Sequence, residues 1–104
     1  MNVTDYVVVL DYDARYRVRF ETVLGNVTEF MVQFEYHARA DWIPVVRYDT
    51  AHDFAHCDRY GPDGIVSQHE PMHIADYGKA INAAIQTVQG DWQPLIAPFR
   101  EAKP

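Results

Sequence analysis

Hydrophobic and polar residues alternate with a period of two through the first half of the chain, whereas the tail follows the 3.6-residue period of a helix. A short strand is predicted at residues 6–10, and a turn at residues 11–13 separates it from the next strand. In that next strand, apolar and charged side chains fall on opposite faces. One face takes Tyr16, Val18, Phe20, Thr22 and Leu24, and the other takes Arg15, Arg17, Arg19 and Glu21.

The dipeptide Gly25-Asn26 predicts a hairpin, which a second alternating strand then follows. A three-residue loop over residues 25–27, with a bulge, keeps apolar residues opposite one another, because a slip of one residue would mix the two faces. The apolar face of the return strand takes Phe30, Val32, Phe34 and Tyr36. The predicted register pairs Phe20 with Val32, Val18 with Phe34, Arg17 with Glu35, and Arg15 with His37.

Three further strands are predicted at residues 42–49, 54–60 and 65–70. Pro44 has no N–H to donate, so the start of the first of these should lie at a sheet edge or before regular pairing. Residues 61–64, with the sequence Gly-Pro-Asp-Gly, form a strong turn signal. This four-residue loop would place Tyr60 opposite Ile65, Asp58 opposite Ser67, and His56 opposite His69.

Apolar residues in the tail are spaced by three and four, which predicts an amphipathic helix. They are Ile74, Tyr77, Ile81, Ala84, Ile85 and Val88. Asp76 is the predicted cap at its start. Gly90 is predicted to end it, and Asp91 to begin a second short helix that carries Leu95, Ile96 and Phe99. The prediction is therefore a single α+β domain, residues 1–104: an antiparallel β-meander of five to six strands, with one C-terminal helix or two packed on one face.

Composition supports one domain with a real core, because 48% of the 104 residues are hydrophobic. The formal net charge of −6 excludes a molecule that is basic over its whole surface, although a local basic patch for nucleic acid stays open. The single cysteine excludes an intrachain disulfide. No apolar run is long enough to span a membrane and no signal peptide is recognised, so we expect a cytoplasmic protein.

The densest group of polar side chains lies between residues 47 and 60. Histidines there can exchange protons near neutral pH, carboxylates can orient them, and arginines can grip a phosphate with a planar fork. Four residues are candidates for catalysis: Arg47, Asp49, His52 and His56. Seven are candidates for substrate binding: Arg15, Arg17, Arg19, Tyr48, Asp58, Arg59 and His69.

No metal and no other cofactor is expected. His52 and His56 are four residues apart, a spacing that suits zinc on a helix, but the surrounding residues favour a strand. Four residues of strand separate the two rings by about 13 Å, which is too far for one ion unless the chain turns between them.

The same residues also have an ordinary interpretation. Histidine, aspartate and serine are common on the solvent face of a hairpin, and Asp49 is typical of a turn that bonds to its own backbone. The arginines at 15, 17 and 19 form either a phosphate-binding ridge or a solvated face paired with Glu21 and Glu35. Cys57 is predicted to be a small buried residue.

The segment Arg47-Tyr48-Asp49-Thr50-Ala51-His52-Asp53-Phe54-Ala55-His56 resembles a motif of small prokaryotic proteins related to TumE-type toxins of toxin–antitoxin pairs. Their Arg-Tyr-Asp-Asn-Ala-His-like segment, followed by further histidines, lies on a compact antiparallel sheet with a helix. Thr50 stands where that pattern has asparagine. Over nearly its whole length, the chain is more similar to an uncharacterised bacterial and archaeal family, through residues 16–25, 46–52 and 58–64. That second resemblance implies no established activity.

Two hypotheses follow. In the first, the resemblance implies a metal-independent, toxin-like RNase or nucleic-acid-processing protein, with RNA as substrate and an antitoxin-like protein as partner. It requires His52 and His56 to converge on one concave site with Arg47. In the second, the protein is a non-enzymatic interaction module that forms a homodimer or binds a partner, and the motif is a structural corner. It requires the same groups to be used in internal hydrogen bonds, with no pocket beside them.

Overall fold

A computed structural model describes residues 1–102. Six antiparallel strands follow one another in chain order across a single sheet, and one C-terminal helix packs on it, which confirms the predicted α+β meander. The strands are β1 (Asn2–Asp11), β2 (Ala14–Val23), β3 (Asn26–Ala38), β4 (Asp41–Asp49), β5 (His56–Tyr60) and β6 (Val66–Pro71), and the helix is α1 (Tyr77–Glu101). No helix in this described part is long and apolar enough to cross a membrane.

The β2–β3 hairpin has the predicted faces but a different register. Its loop is the two residues Leu24 and Gly25, both at positive φ (51° and 80°), which is the turn that matches the twist of paired strands. A bulge at Thr28 follows, so the predicted bulge is present but the three-residue loop is wrong. The observed pairs are Phe20 with Phe30, Val18 with Val32, Arg17 with Gln33, and Arg15 with Glu35. The error is two residues, and a shift of two leaves every side chain on its predicted face.

The proline of β4 lies in the part of the strand that has a neighbouring strand on one side only. Pro44 pairs with Glu35 of β3, next to a bulge at Val45. Strand β5 pairs with β4 only from Val46 onward. The missing N–H of Pro44 therefore costs no hydrogen bond on that side of β4.

The β5–β6 hairpin also contains a bulge, which the predicted pairing did not include. Tyr60 pairs with Val66 and Arg59 with Gln68, so Ser67 is the extra residue, and its hydroxyl donates to the Arg59 carbonyl at 3.2 Å. As a result His69 lies opposite Asp58. The predicted pairings of Tyr60 with Ile65, of Asp58 with Ser67 and of His56 with His69 are therefore all wrong.

The core lies between one face of the sheet and α1, which packs on β3 and β4. Its largest fully buried side chains are Phe34, Ile96, Val18, Val32, Val46 and Val88. The other face of the sheet, called the outer face here, carries the arginines of β2 and the odd-numbered residues of β1. The helix does not cover β1 fully, since Tyr6 on the core side of that strand is 40% exposed.

Helix α1 runs without interruption for 25 residues. Asp76 caps it as predicted, because its carboxylate accepts from the Lys79 amide at 3.0 Å. The predicted end at Gly90 and second helix from Asp91 are wrong. Pro94 and Pro98 each remove one backbone donor within the helix, but burial of Ile96 and Phe99 against the sheet offsets that loss.

One end of α1 is tied to the β1–β2 turn by Arg100. Its guanidinium donates to both carboxylate oxygens of Asp13, at 2.9 and 2.6 Å, and to Asp11 at 3.1 Å. These hydrogen bonds, foremost those with Asp13, raise the pKa of Arg100 above its ordinary value.

Candidate functional site

The segment singled out in the sequence forms the end of β4, a loop over residues 50–55, and the start of β5. Asp49 and His56 close this loop as a directly opposed pair. Within the loop, the Ala51 amide donates to Asp49 Oδ1 at 3.2 Å, and the Thr50 hydroxyl accepts from the Phe30 amide at 3.1 Å. The turn role predicted for Asp49 is therefore confirmed.

Asp49 is buried and is the centre of a polar cluster. Arg47 Nε donates to its Oδ2 at 2.6 Å, and His56 Nε2 lies 2.8 Å from its Oδ1. Arg47 is held from its other side by Gln33, whose Oε1 accepts from the guanidinium at 3.2 Å. Gln33 in turn donates to Glu35 at 2.6 Å, and Glu35 accepts from Arg15 at 2.7 Å. A continuous line of hydrogen bonds thus crosses the outer face from β2 to β5.

His56 is almost completely buried, at 2% exposure, although the sequence suggested a solvent-facing hairpin residue. Its Nδ1 lies 3.3 Å from the Phe54 carbonyl oxygen, and its Nε2 lies 3.8 Å from Asp58 Oδ2 in addition to the contact with Asp49. Asp58 also forms a short hydrogen bond with His69 Nδ1. The His56 ring centroid lies 4.9 Å from that of His69 and 5.6 Å from that of His52.

The structure brings together six of the eleven predicted site residues and separates the rest. Arg47, Asp49, His56, Asp58 and His69 form one cluster, with His52 at its rim. Arg15 joins it only through Glu35 and Gln33, Arg17 lies between Val7 and Gln33 in the sheet, and Arg19 pairs with Glu21 and Glu29. Tyr48 is buried on the helix side, and Arg59 alternates to that side as well, so neither faces the cluster.

Gln33 was missed by the sequence analysis, although it joins Arg47 to Glu35. The available signal was its place among the outward-facing residues of β3, opposite Arg17. Identifying its contact with Arg47 needed the register between β3 and β4, where those two residues are directly opposed.

A shallow groove of about 370 Å³ adjoins the cluster on the side of Arg47. Arg19 and Arg47 line it together with three carboxylates, those of Glu29, Asp49 and Asp53. Since acidic groups outnumber basic ones, the groove does not favour a polyanion. A larger cavity, about 680 Å³, lies at the opposite end of the sheet beside Tyr36, Ile43 and Phe99, away from these polar groups.

The side chains able to hold a cation are not the pair considered from the sequence, His52 and His56. The donor atoms of His56, Asp58 and His69 all lie within 4.8 Å of one another. His52 is not part of this group. The expected separation of His52 and His56 along one strand is wrong, because residues 50–55 form a loop and the two ring centroids lie 5.6 Å apart.

Cys57 is buried, as predicted, and packs beside Tyr48 on the helix side. Burial raises the pKa of the Cys57 thiol and raises the pKa of Tyr48 to about 12. Because the thiolate is the reactive form, we expect Cys57 in the folded protein to react with a thiol reagent at pH 8 about tenfold more slowly, or slower still, than in urea-unfolded protein. Stopped-flow absorbance with a disulfide reagent measures both rates, and equal rates would contradict this burial.

Comparison with protein-family models identifies the family of this chain. A family model described as "Domain of unknown function (DUF7718)" matches residues 1–104. The chain belongs to this family. The expectation of an uncharacterised family is thus confirmed, while the resemblance to TumE-type toxins stays a prediction. Comparisons with curated proteins and with solved structures gave no match for this DUF7718 chain.

Proposed function

We propose that this DUF7718 protein is an interaction module that forms a homodimer by antiparallel pairing of its two β1 strands. The observation that carries the proposal is the unpaired edge of the sheet that β1 forms. This edge is ten residues long, and Val3, Val7 and Val9 on its outer face are 50%, 48% and 71% exposed. A long apolar edge strand offers a row of backbone donors and acceptors to a second strand.

The opposite edge is protected in the usual ways. Strand β6 has six residues, carries Gln68, His69 and Glu70, and ends in Pro71. Charged residues, proline and short length all discourage pairing at an edge. The difference between the two edges favours a closed two-fold dimer through β1 over an open chain of β1–β6 contacts.

The sequence of β1 suits pairing with itself about Tyr6. A two-fold axis at this residue places Val3 opposite the partner's Val9 and Asp5 opposite the partner's Val7. Both residues of each pair are odd-numbered and therefore lie on the outer face. The apolar outer face thus continues into the second protomer. The partner's Asp5 then lies across Val7 from Arg17, which Val7 pairs with in the β1–β2 ladder. Within residues 1–102, Arg17 has no ion pair of its own, so the charges are complementary.

The polar cluster supports a structural role for the motif. Arg47, Asp49 and His56 are bound to one another and to the backbone at the β4–β5 corner. Groups held in this way fix the path of the loop and are not available to a substrate without breaking those bonds.

Sedimentation velocity over a concentration series tests this function. Wild-type protein is expected to form dimers, and Val7→Lys to shift to monomer because lysine blocks an apolar edge. Val23→Lys is the matched control, since Val23 is similarly exposed but lies at the end of β2. A wild-type monomer at all concentrations, or a Val7→Lys dimer as stable as wild type, would contradict the proposal.

A second candidate function, a toxin-like RNase, is supported by one observation. The His52 and His56 rings lie 5.6 Å apart, and Asp49 joins His56 to Arg47. An RNA-cleavage assay with wild-type protein, His52→Ala and Arg47→Lys tests it. Cleavage by wild type that His52→Ala abolishes would favour the nuclease. Equal, background-level signal from all three proteins would exclude it.

A further inference from the structure

We propose that His56, Asp58 and His69 bind one divalent transition-metal ion on the outer face of the sheet. The donor atoms of these three side chains lie within 4.8 Å of one another, on the adjacent strands β5 and β6. Two ligands at about 2.0–2.2 Å from an ion are at most about 4.4 Å apart. Small side-chain rotations therefore suffice to bring all three into contact with one ion.

The Nε2 atom of His56 faces the cluster, and an ion bound there would replace its hydrogen bond to Asp49 Oδ1. His56 Nδ1 faces the Phe54 carbonyl oxygen at 3.3 Å, so the backbone can hold the other ring nitrogen while Nε2 takes the ion. Outer hydrogen bonds of this kind fix the tautomer of metal-binding histidines. Burial between Asp49, Phe54 and the neighbouring rings holds the ring in place.

The region in front of His56 Nε2 favours a cation. Asp49 Oδ1 lies 2.8 Å from this nitrogen and Asp58 Oδ2 lies 3.8 Å from it. Two carboxylate oxygens close to one ring nitrogen give this region a negative potential, which attracts a cation. Arg47 neutralises Asp49 through its other oxygen. Within residues 1–102, the side chains within ion-pair distance of Asp58 are those of His56 and His69, and Arg47 lies directly opposite Asp58 on β4.

Access and donor type indicate the class of ion. The His69 side chain is half exposed, so an ion can enter from solvent without unfolding the sheet. Two imidazole nitrogens and one carboxylate suit Zn²⁺, Co²⁺ or Ni²⁺ better than Mg²⁺ or Ca²⁺, which prefer sets made only of oxygen. Asp49 is placed to serve as a fourth ligand or to orient His56.

The ion is not needed for folding, because the apolar core lies on the other face of the sheet, between β3, β4 and α1. We therefore expect the chelator-treated protein to keep its fold and to bind the metal reversibly. This also makes the proposal independent of the dimer, since the site lies at the β5–β6 side of the sheet and the dimer at the β1 side.

Calorimetric titration of tag-free, chelator-treated protein with Zn²⁺, together with Co²⁺ absorption spectra, tests the site. One ion per chain is expected, in wild type and in the Val7→Lys background alike. His69→Ala and Asp58→Asn should each weaken binding at least about tenfold, while His37→Ala, remote from the cluster, should bind as wild type does. Circular dichroism confirms that each variant is folded.

Absence of stoichiometric binding by folded wild-type protein would overturn the proposal. So would binding that His69→Ala and Asp58→Asn leave unchanged, because the ion would then be held elsewhere. Loss of binding in the two ligand variants, with the His37→Ala control intact, is the expected result.

Discussion

Replacing Phe34 with alanine is expected to lower the free energy of unfolding by about 3–5 kcal/mol. Phe34 is fully buried, lies between Tyr16 of β2 and Val46 of β4, and is the largest fully buried side chain of the core. Removing the ring leaves a cavity that the sheet cannot close, because the backbone ladders on both sides fix the spacing of the strands. A loss of this size is a large part of the usual total of about 5–15 kcal/mol.

Urea unfolding followed by fluorescence measures the effect. Tyr12→Ala is the control, because Tyr12 is an aromatic residue of the β1–β2 turn and is 78% exposed. We expect the control to cost less than about 1 kcal/mol. Equal losses for the two variants would show that the core is not centred on Phe34.

Replacing Asp49 with alanine is expected to cost about 2–3 kcal/mol, because the hydrogen bonds that it accepts include two from ionisable groups. The change leaves Arg47 with only Gln33, removes the partner of the buried His56, and frees the Ala51 amide. Each of these groups then loses an acceptor that water replaces only in part.

Thermal and urea unfolding of Asp49→Ala measure this cost, with Asp41→Ala as the control. Asp41 is exposed at the start of β4, and its change should stay within about 0.5 kcal/mol. An Asp49→Ala protein as stable as wild type would contradict the structural role of the corner. If such a stable variant also lost an RNA-cleaving activity of the wild type, the nuclease would replace the interaction module.

The faces of the strands could be predicted from the sequence, because apolar and polar residues alternate along most of β2 and β3. The register could not, because bulges at Thr28 and Ser67 change the pairing without changing the pattern of either strand. The wrong prediction of the end of the helix has a similar cause, because the local sequence does not show tertiary contacts. Gly90 and Pro94 are local stop signals, but tertiary burial of Ile96 and Phe99 outweighs them.

In the candidate site, too, some neighbours could be predicted from the sequence, whereas burial and register could not. That His56, Asp58 and His69 come together was predictable from the loop over residues 61–64, although the directly opposed pair was misassigned. The burial of His56 was not predictable, because it depends on the two flanking histidines, Phe54 and Asp49 packing around its ring. Arg47 was expected to face a substrate, but the register between β3 and β4 places Gln33 beside it.

A disulfide across the proposed two-fold axis is the most direct measurement of the central claim. With β1 paired about Tyr6, the two copies of this residue are directly opposed, with Cα atoms about 4.5–5.5 Å apart. That separation lies in the range that a disulfide spans. Thr4 shares the same face, but its two copies would be about 13 Å apart.

Tyr6→Cys and Thr4→Cys proteins are oxidised mildly and analysed by non-reducing electrophoresis and intact mass. The account predicts a disulfide-linked dimer for Tyr6→Cys and monomer for Thr4→Cys, with the buried Cys57 unreacted in both. A Tyr6→Cys protein that stays monomeric under the same oxidation, or a Thr4→Cys protein that links equally well, would contradict pairing of the β1 edges.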